Sequence, residues 1–150
     1  MKQAGLWTLC VVEMLERFAY FGMLAFLTLH LLDQHKMTEG GALSLFGTFV
    51  TLTYLAPLLG GVLADRVLGQ LRSVLIGTTL LAGGYALLGL QERSALYAGL
   101  FMLILGLGLF KPAIAAVLAN RYPRLDAGRE SAFIMFFLAI QLGAVLAPLG

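Results

Sequence analysis

The chain has 150 residues, of which 60% are hydrophobic and 12% are charged, and its mean hydropathy is +0.91. Soluble domains are about 45–50% apolar and about 25% charged, so this composition excludes a disordered chain. The net charge of +2 is too small for a nucleic-acid binder. Cys10 is the single cysteine, and His30 and His35 are too few and badly spaced for a zinc site, so we expect no metal. We therefore predict an all-α, polytopic helical membrane protein.

Five segments are long and apolar enough to be membrane-spanning helices, which need about 20 such residues. The predicted spans are 6–32, 42–64, 73–90, 95–119 and 131–150. No composition shift divides them into soluble domains. The fifth span is still apolar where the sequence ends, so we expect this chain to be the N-terminal portion of a longer protein. The spans also imply a lipid bilayer as surroundings.

The distribution of Lys and Arg among the connections predicts the orientation of the spans. Lys36 and Arg93 lie on one side, and six basic residues lie on the other: Lys2, Arg66, Arg72, Arg121, Arg124 and Arg129. The richer side should be cytoplasmic, which places the N-terminus inside the cell, in a plasma or inner membrane.

Four ionisable residues fall within the predicted spans, where charges are costly and usually mark a pathway or a site. They are Glu13, Glu16, Arg17 and Lys111. Two negative and two positive charges sum to zero, which is the balance that paired burial requires. Polar glue between membrane helices is more often Ser, Thr, Asn or Gln, so these four residues favour a functional site.

Three of these charges share one face of the first span with Tyr20. At about 100° per residue, positions 13, 16, 17 and 20 lie within an arc of roughly 100°. Glu13 and Arg17 are i,i+4 neighbours that can pair directly. Lys111, Tyr54 and Gln141 lie on three other spans at a similar depth near the membrane midplane. That is the depth expected for the substrate site of a carrier.

Several motifs together resemble the proton-dependent oligopeptide transporter family of the major facilitator superfamily. Glu13-x-x-Glu16-Arg17-Phe18 resembles the family's ExxERF signature, and residues 106–112, which end in Lys111-Pro112, resemble its fourth-helix motif. Residues 60–66 with Gly69 and Arg72 resemble the superfamily's loop motif between helices two and three. Residues 126–128 and 140–144 resemble the family's loop and fifth helix. The resemblance implies the N-terminal half of the superfamily fold.

The resemblance also implies proton-coupled symport of di- and tripeptides by alternating access, with the proton as coupling ion and no other cofactor. Glu13, Glu16, Arg17 and Lys111 match the family's proton-coupling and binding set, in which the two cations face the peptide carboxylate. Tyr20 and Tyr54 match tyrosines that line the pocket.

Three positions depart from the family pattern. Phe21 stands where many members have a second tyrosine, Ala113 where Asn is common, and Gln141 where many members have an Asn that helps to hold the peptide amino group. A carrier of another small substrate, such as nitrate, an amino-acid derivative or an organic anion, is therefore the alternative. An enzyme is not expected, because no Ser/His pair, HExxH sequence or pair of intramembrane aspartates is present.

Two hypotheses describe how such a carrier works. In the first, ionised Glu13 pairs with Lys111 or Arg17, and its protonation frees a cation for the substrate carboxylate. In the second, Asp65 and Arg66 at the end of the second span form a gate with Arg121, in which Asp65 pairs with Arg121 or complements the N-terminus of the third helix. The sequence does not decide which glutamate carries the coupling proton.

Overall fold

The computed structural model describes residues 2–123 and 125–149, and this part of the chain is helical and contains no strand. Within it lie five long helices, namely α1 (Lys2–Asp33), α2 (Glu39–Leu63), α3 (Gln70–Leu88), α4 (Arg93–Arg121) and α5 (Arg129–Leu146). The all-α prediction is confirmed. Arg124, one of the basic residues assigned to the cytoplasmic side, lies outside the described residues.

Four of the helical segments are long and apolar enough to cross a membrane. They are Glu39–Leu68, Gln70–Leu88, Arg93–Arg121 and Arg129–Leu149. The 32-residue α1 is not one of the four. At about 1.5 Å per residue α1 is about 48 Å long, so its length suffices for a span, and its crossing of the membrane stays a prediction.

The predicted connection between the second and third spans is almost entirely helical. A π-helical turn, Ala64–Leu68, continues α2, and Gly69 alone separates it from α3. Gly69 has a φ of 82°, which glycine adopts readily because it lacks a Cβ. The predicted loop residues Asp65 and Arg66 therefore lie on a helical turn.

The fifth predicted span is shorter than expected. Helix α5 ends at Leu146 and is followed by a 3₁₀ turn, Ala147–Leu149. Pro148 explains the change, since proline has no backbone N–H and its ring clashes with the carbonyl four residues earlier in an α-helix.

The chain forms two compact units. The first unit comprises Met1–Leu27 and Leu118–Gly150, and the second comprises Thr28–Val117. Glu13, Glu16, Arg17, Tyr20, Arg121 and Gln141 belong to the first unit. Tyr54, Asp65, Arg66 and Lys111 belong to the second.

Close approach of α4 to its neighbours organises the second unit. Gly60 of α2 lies against the backbone of Gly108, and an added Cβ on Gly77 of α3 would lie 2.9 Å from the carbonyl oxygen of Gly106. Small residues permit such contacts between membrane helices.

Helix α5 packs on α1 in the first unit through a stripe of mostly small residues. Its buried positions are Ala132, Phe136, Ala139 and Gly143. They recur every three or four residues, which is the spacing of one helix face. The tightest approach is at Gly143, which lies against the turn of α1 that carries the predicted charges.

Candidate functional site

The four predicted polar residues of α1 are buried together on one face of the helix. Glu13, Glu16, Arg17 and Tyr20 are each 3–7% exposed, although three of them carry formal charges. We call these four residues the α1 cluster. Burial of charged side chains is costly unless they pair, so the local geometry of Arg17 is decisive.

Glu16 is the principal partner of Arg17. Arg17 Nε donates to Glu16 Oε2 at 2.5 Å, and Arg17 Nη2 donates to Glu16 Oε1 at 2.7 Å. Both carboxylate oxygens thus contact the guanidinium, and charge-assisted hydrogen bonds of this kind are stronger than those between neutral groups. Helix spacing alone does not predict this pair, because adjacent residues do not normally face each other.

Glu13 lies near the same guanidinium, on the side of its Nε atom. Its Oε1 is 3.7 Å from Arg17 Nε, so the predicted i,i+4 ion pair is confirmed, at a longer distance than the pair with Glu16. Coulomb attraction weakens with distance, so Arg17 attracts Glu13 less strongly than it attracts Glu16. When both are ionised, the three groups carry a net charge of −1.

Two aromatic rings complete the surroundings of Arg17. Its Cζ lies 4.9 Å from the centroid of the Tyr20 ring and 5.6 Å from that of the Phe21 ring, both within the range of cation–π attraction. The two rings meet edge to face with centroids 5.4 Å apart. Phe21, noted in the sequence only as a departure from the family, therefore helps to fix the guanidinium.

Gly143 of α5 packs against the turn of α1 that carries the α1 cluster. A Cβ at this position would overlap the carbonyl oxygen of Met14 and would lie 2.9 Å from the Cβ of Arg17. Only glycine therefore allows α5 to approach the turn that carries Glu13, Glu16 and Arg17. Gln141 is exposed and lies about 200° around α5 from Gly143, so the structure does not bring it into the α1 cluster.

The remaining predicted residues lie apart from the α1 cluster along the chain. In the second unit, Tyr54 is 71% exposed on α2 and Lys111 is half-buried on α4. Lys111 precedes Pro112, whose Cβ lies 3.4 Å from the position of a Cβ on Gly61, so this turn of α4 is braced against α2. The pairing of Glu13 with Lys111 and the shared pocket of Tyr20 with Tyr54 stay predictions.

The predicted gating residues occupy exposed helix ends. Asp65 and Arg66 are exposed on the π-helical turn of the second unit. In the first unit, the exposed Arg121 lays its guanidinium over the backbone of Gly5, where a Cβ would overlap it. Sequence reasoning missed Gly5, because an isolated glycine near a helix start gives no signal of the arginine that covers it.

Comparisons with known proteins identify the family. A model described as the POT family matches residues 71–150, which is more than half of the chain. The chain therefore belongs to the POT family, a family of transporters. The match does not include the α1 cluster, which lies before residue 71.

Relatives with curated names extend the similarity to α1. The chain is 35% identical over 140 residues to "Dipeptide and tripeptide permease A" of Cronobacter turicensis, which covers 92% of this chain and 28% of that protein. It is 34% identical over 153 residues to the "Di-/tripeptide transporter" of Lactococcus lactis, which covers 97% of this chain and 31% of that protein. The chain thus spans about a third of the length of these relatives.

Solved structures show the same fold. A peptide transporter POT crystallised with sulfate matches with a TM-score of 0.92 at 35% identity, over 97% of this chain and 31% of that chain. A POT family transporter crystallised with 5-aminolevulinic acid matches with a TM-score of 0.92 at 31% identity and the same coverage. The fold of this chain therefore matches that of the corresponding part of POT transporters.

The contact of Gly143 with the α1 turn leads to a test of how the α1 cluster is held. Gly143→Ala should lower the free energy of unfolding by about 1–3 kcal/mol, the usual cost of overpacking, because the new methyl group meets backbone at Met14. Thermal unfolding in detergent, followed by the fluorescence of Trp7 on α1, would measure the loss.

Gly22→Ala is the matched control, because its Cβ would lie 4.0 Å from the nearest atoms, at Ala147, in ordinary contact. This variant should be neutral or gain up to about 1 kcal/mol from the higher helix propensity of alanine. Equal unfolding temperatures for the two variants would contradict the close α1–α5 contact.

Proposed function

We propose that this chain forms part of a carrier that moves di- and tripeptides across a membrane together with protons. The observation that carries the proposal is the buried α1 cluster, in which two carboxylates and one guanidinium lie within about one turn of α1. Charged residues buried within the helices of a transporter usually mark the path of a substrate or a proton.

The identity of the substrate rests on the relatives. Two of them are named as transporters of di- and tripeptides, and another is crystallised with 5-aminolevulinic acid, a small molecule with amino and carboxyl ends. A cationic site suits a substrate with a free carboxylate, and we assign that contact to Arg17 and Lys111. Tyr20, Tyr54 and Gln141 are the proposed further contacts. The relatives' names favour peptides over nitrate or another small anion.

The geometry of the α1 cluster supports Glu13 as the carrier of the coupling proton. Glu16 is engaged with Arg17 through two short hydrogen bonds, so protonating it would end the ion pair and weaken both bonds. Glu13 is the more distant partner, and neutralising it leaves the Glu16–Arg17 pair intact. We therefore propose that Glu16 positions Arg17, while Glu13 binds and releases the proton and so controls the attraction of the site for a substrate carboxylate.

The coupled cycle then follows from charge. With Glu13 ionised, the positive charge of Arg17 and Lys111 is offset by carboxylates, and the substrate carboxylate is less attracted. Protonation of Glu13 leaves excess positive charge, which attracts the substrate. When Glu13 loses its proton on the side of lower proton activity, the charges of the site balance again, which favours release of the substrate. Rigid-body rocking of two halves, the usual motion of such carriers, would expose the site alternately.

Uptake into proteoliposomes holding the full-length protein tests this proposal. Wild-type protein should accumulate a labelled dipeptide when an inward proton gradient is applied. Lys111→Ala should lose accumulation because the carboxylate of the substrate loses a cation. Glu13→Gln should lose gradient-driven accumulation but keep exchange of internal for external dipeptide, since a glutamine at this position holds no exchangeable coupling proton.

Lys36→Asn is the matched control for loss of a positive charge. Lys36 is exposed in the connection after α1, and its φ of 51° is one that asparagine tolerates. This variant should transport normally. Full gradient-driven uptake by Glu13→Gln would contradict the assignment of the proton, and absence of dipeptide uptake by the wild type would contradict the assignment of the substrate.

The gating hypothesis also leads to a test. We propose that Asp65, Arg66 and Arg121 stabilise the closed cytoplasmic face, with the orientation that the Lys and Arg distribution predicts. Asp65→Asn should then slow dipeptide turnover by several-fold while leaving the affinity for dipeptide nearly unchanged, because Asp65 does not touch the substrate. Measured affinity that falls severely while turnover stays normal would contradict this role.

A further inference from the structure

The connection between α1 and α2 folds back over the end of α1 and buries His35 beside the half-buried His30. Gln34 N–H donates to the carbonyl oxygen of His30 at 3.0 Å, and Met37 N–H donates to that of Leu31 at 3.2 Å. Lys36, with a φ of 51°, makes the reversal between them. His35 is left only 4% exposed, although it lies in a connection and not in a helix.

The two imidazole rings are in direct contact. The centroids of His30 and His35 are 5.1 Å apart, and the rings meet edge to face at 71°. Arg93, at the start of α4, holds the same connection in place, because its Nη2 donates to the carbonyl oxygen of His35 at 3.1 Å. Thus α1, the connection and α4 meet at His35, all within the second unit.

Three of the four ring nitrogens of these histidines make no hydrogen bond within the described part of the chain. Nε2 of His30 and both ring nitrogens of His35 are buried and have no hydrogen-bond partner among the described residues. A neutral imidazole offers one donor and one acceptor, whereas the protonated form carries two donors and a positive charge. A proton added here would therefore bring a buried charge with no acceptor to receive it.

Among the charged groups of the neighbouring segments, the cations oppose protonation further, whereas the carboxylates favour it. Asp33 and Lys36 flank His35 along the chain, Glu39 begins α2, and Glu92 and Arg93 lie at the start of α4, all of them exposed. Burial is the main cause that lowers the pKa of His35, followed by the charges of His30 and Arg93. Both of these neighbouring charges are positive when present, so the contact is stable only while His35 is neutral.

We propose that the His30–His35 pair is a proton-binding site at the C-terminal end of α1, and that proton uptake there releases the connection from Arg93 and α4. This site is separate along α1 from the α1 cluster, and its role does not depend on which substrate is carried. A metal site is a poorer fit, because the described residues contain no group of three potential ligands and Arg93 would repel a cation.

The direction of the pH response follows from the lowered pKa. The packed state is fully stable above the ordinary histidine pKa of about 6.5, because neither the packed nor the released state binds the proton there. As the pH falls from that value towards the lowered pKa of His35, the released state gains protons first and the packed state is lost. The contact should therefore loosen on the acidic side of neutrality.

Hydrogen exchange of the full-length protein in nanodiscs tests the proposal. Backbone protection of residues 34–38, corrected for the intrinsic effect of pH on exchange, should fall several-fold between about pH 7.5 and about pH 5, the range in which histidine changes charge. In His35→Asn the step should be absent. In Arg93→Gln the step should remain but move to higher pH, because one positive charge that opposes protonation has been removed.

Gln34→Asn, an exposed change in the same connection, is the matched control and should keep the wild-type step. Unchanged protection of the wild type across this range would overturn the proposal. So would a step that survives in His35→Asn. If His35→Asn loosens the connection at every pH, the shift of the step in Arg93→Gln still tests the proposal. A step that moves to lower pH in Arg93→Gln would also overturn it.

Discussion

The buried ion pair between Glu16 and Arg17 is the interaction on which the candidate site depends. A guanidinium in an apolar environment needs a carboxylate partner, and Glu16 supplies it through two short hydrogen bonds. That pair fixes the orientation of Arg17, and the rings of Tyr20 and Phe21 flank it. Glu13 is then left as a second, more distant carboxylate. The proposed roles, in which Glu16 positions Arg17 and Glu13 binds the proton, follow from this difference in distance.

The sequence was sufficient for the class of fold and for the location of the charges. Apolar segments of about 20 residues predicted all five helices, because a helix in lipid must satisfy its backbone internally and so requires a long apolar run. The 3.6-residue period placed Glu13, Glu16, Arg17 and Tyr20 on one face, and the structure buries all four together. The ExxERF resemblance led to the family that the comparisons then identified.

The sequence was insufficient where the outcome depends on packing in three dimensions. Spacing favoured Glu13 as the partner of Arg17, yet side-chain torsions bring the adjacent Glu16 closer. Asp65 and Arg66 were placed in a loop, but the helix continues through them as far as Gly69. His30 and His35 were considered only as metal ligands, because nothing in the sequence shows that the connection folds back and buries them beside Arg93. Gly5 and Gly77 gave no signal of the groups that approach them.

The measurement that tests this account most directly is a double-mutant cycle between Glu16 and Arg17. The free energy of unfolding is compared for wild type, Glu16→Gln, Arg17→Gln and the double variant. If the pair holds the site together, each single variant leaves a buried charge poorly paired, and the double variant loses less than the sum, with a coupling free energy of at least about 1 kcal/mol. Losses that add within about 0.5 kcal/mol would contradict the central role of this ion pair.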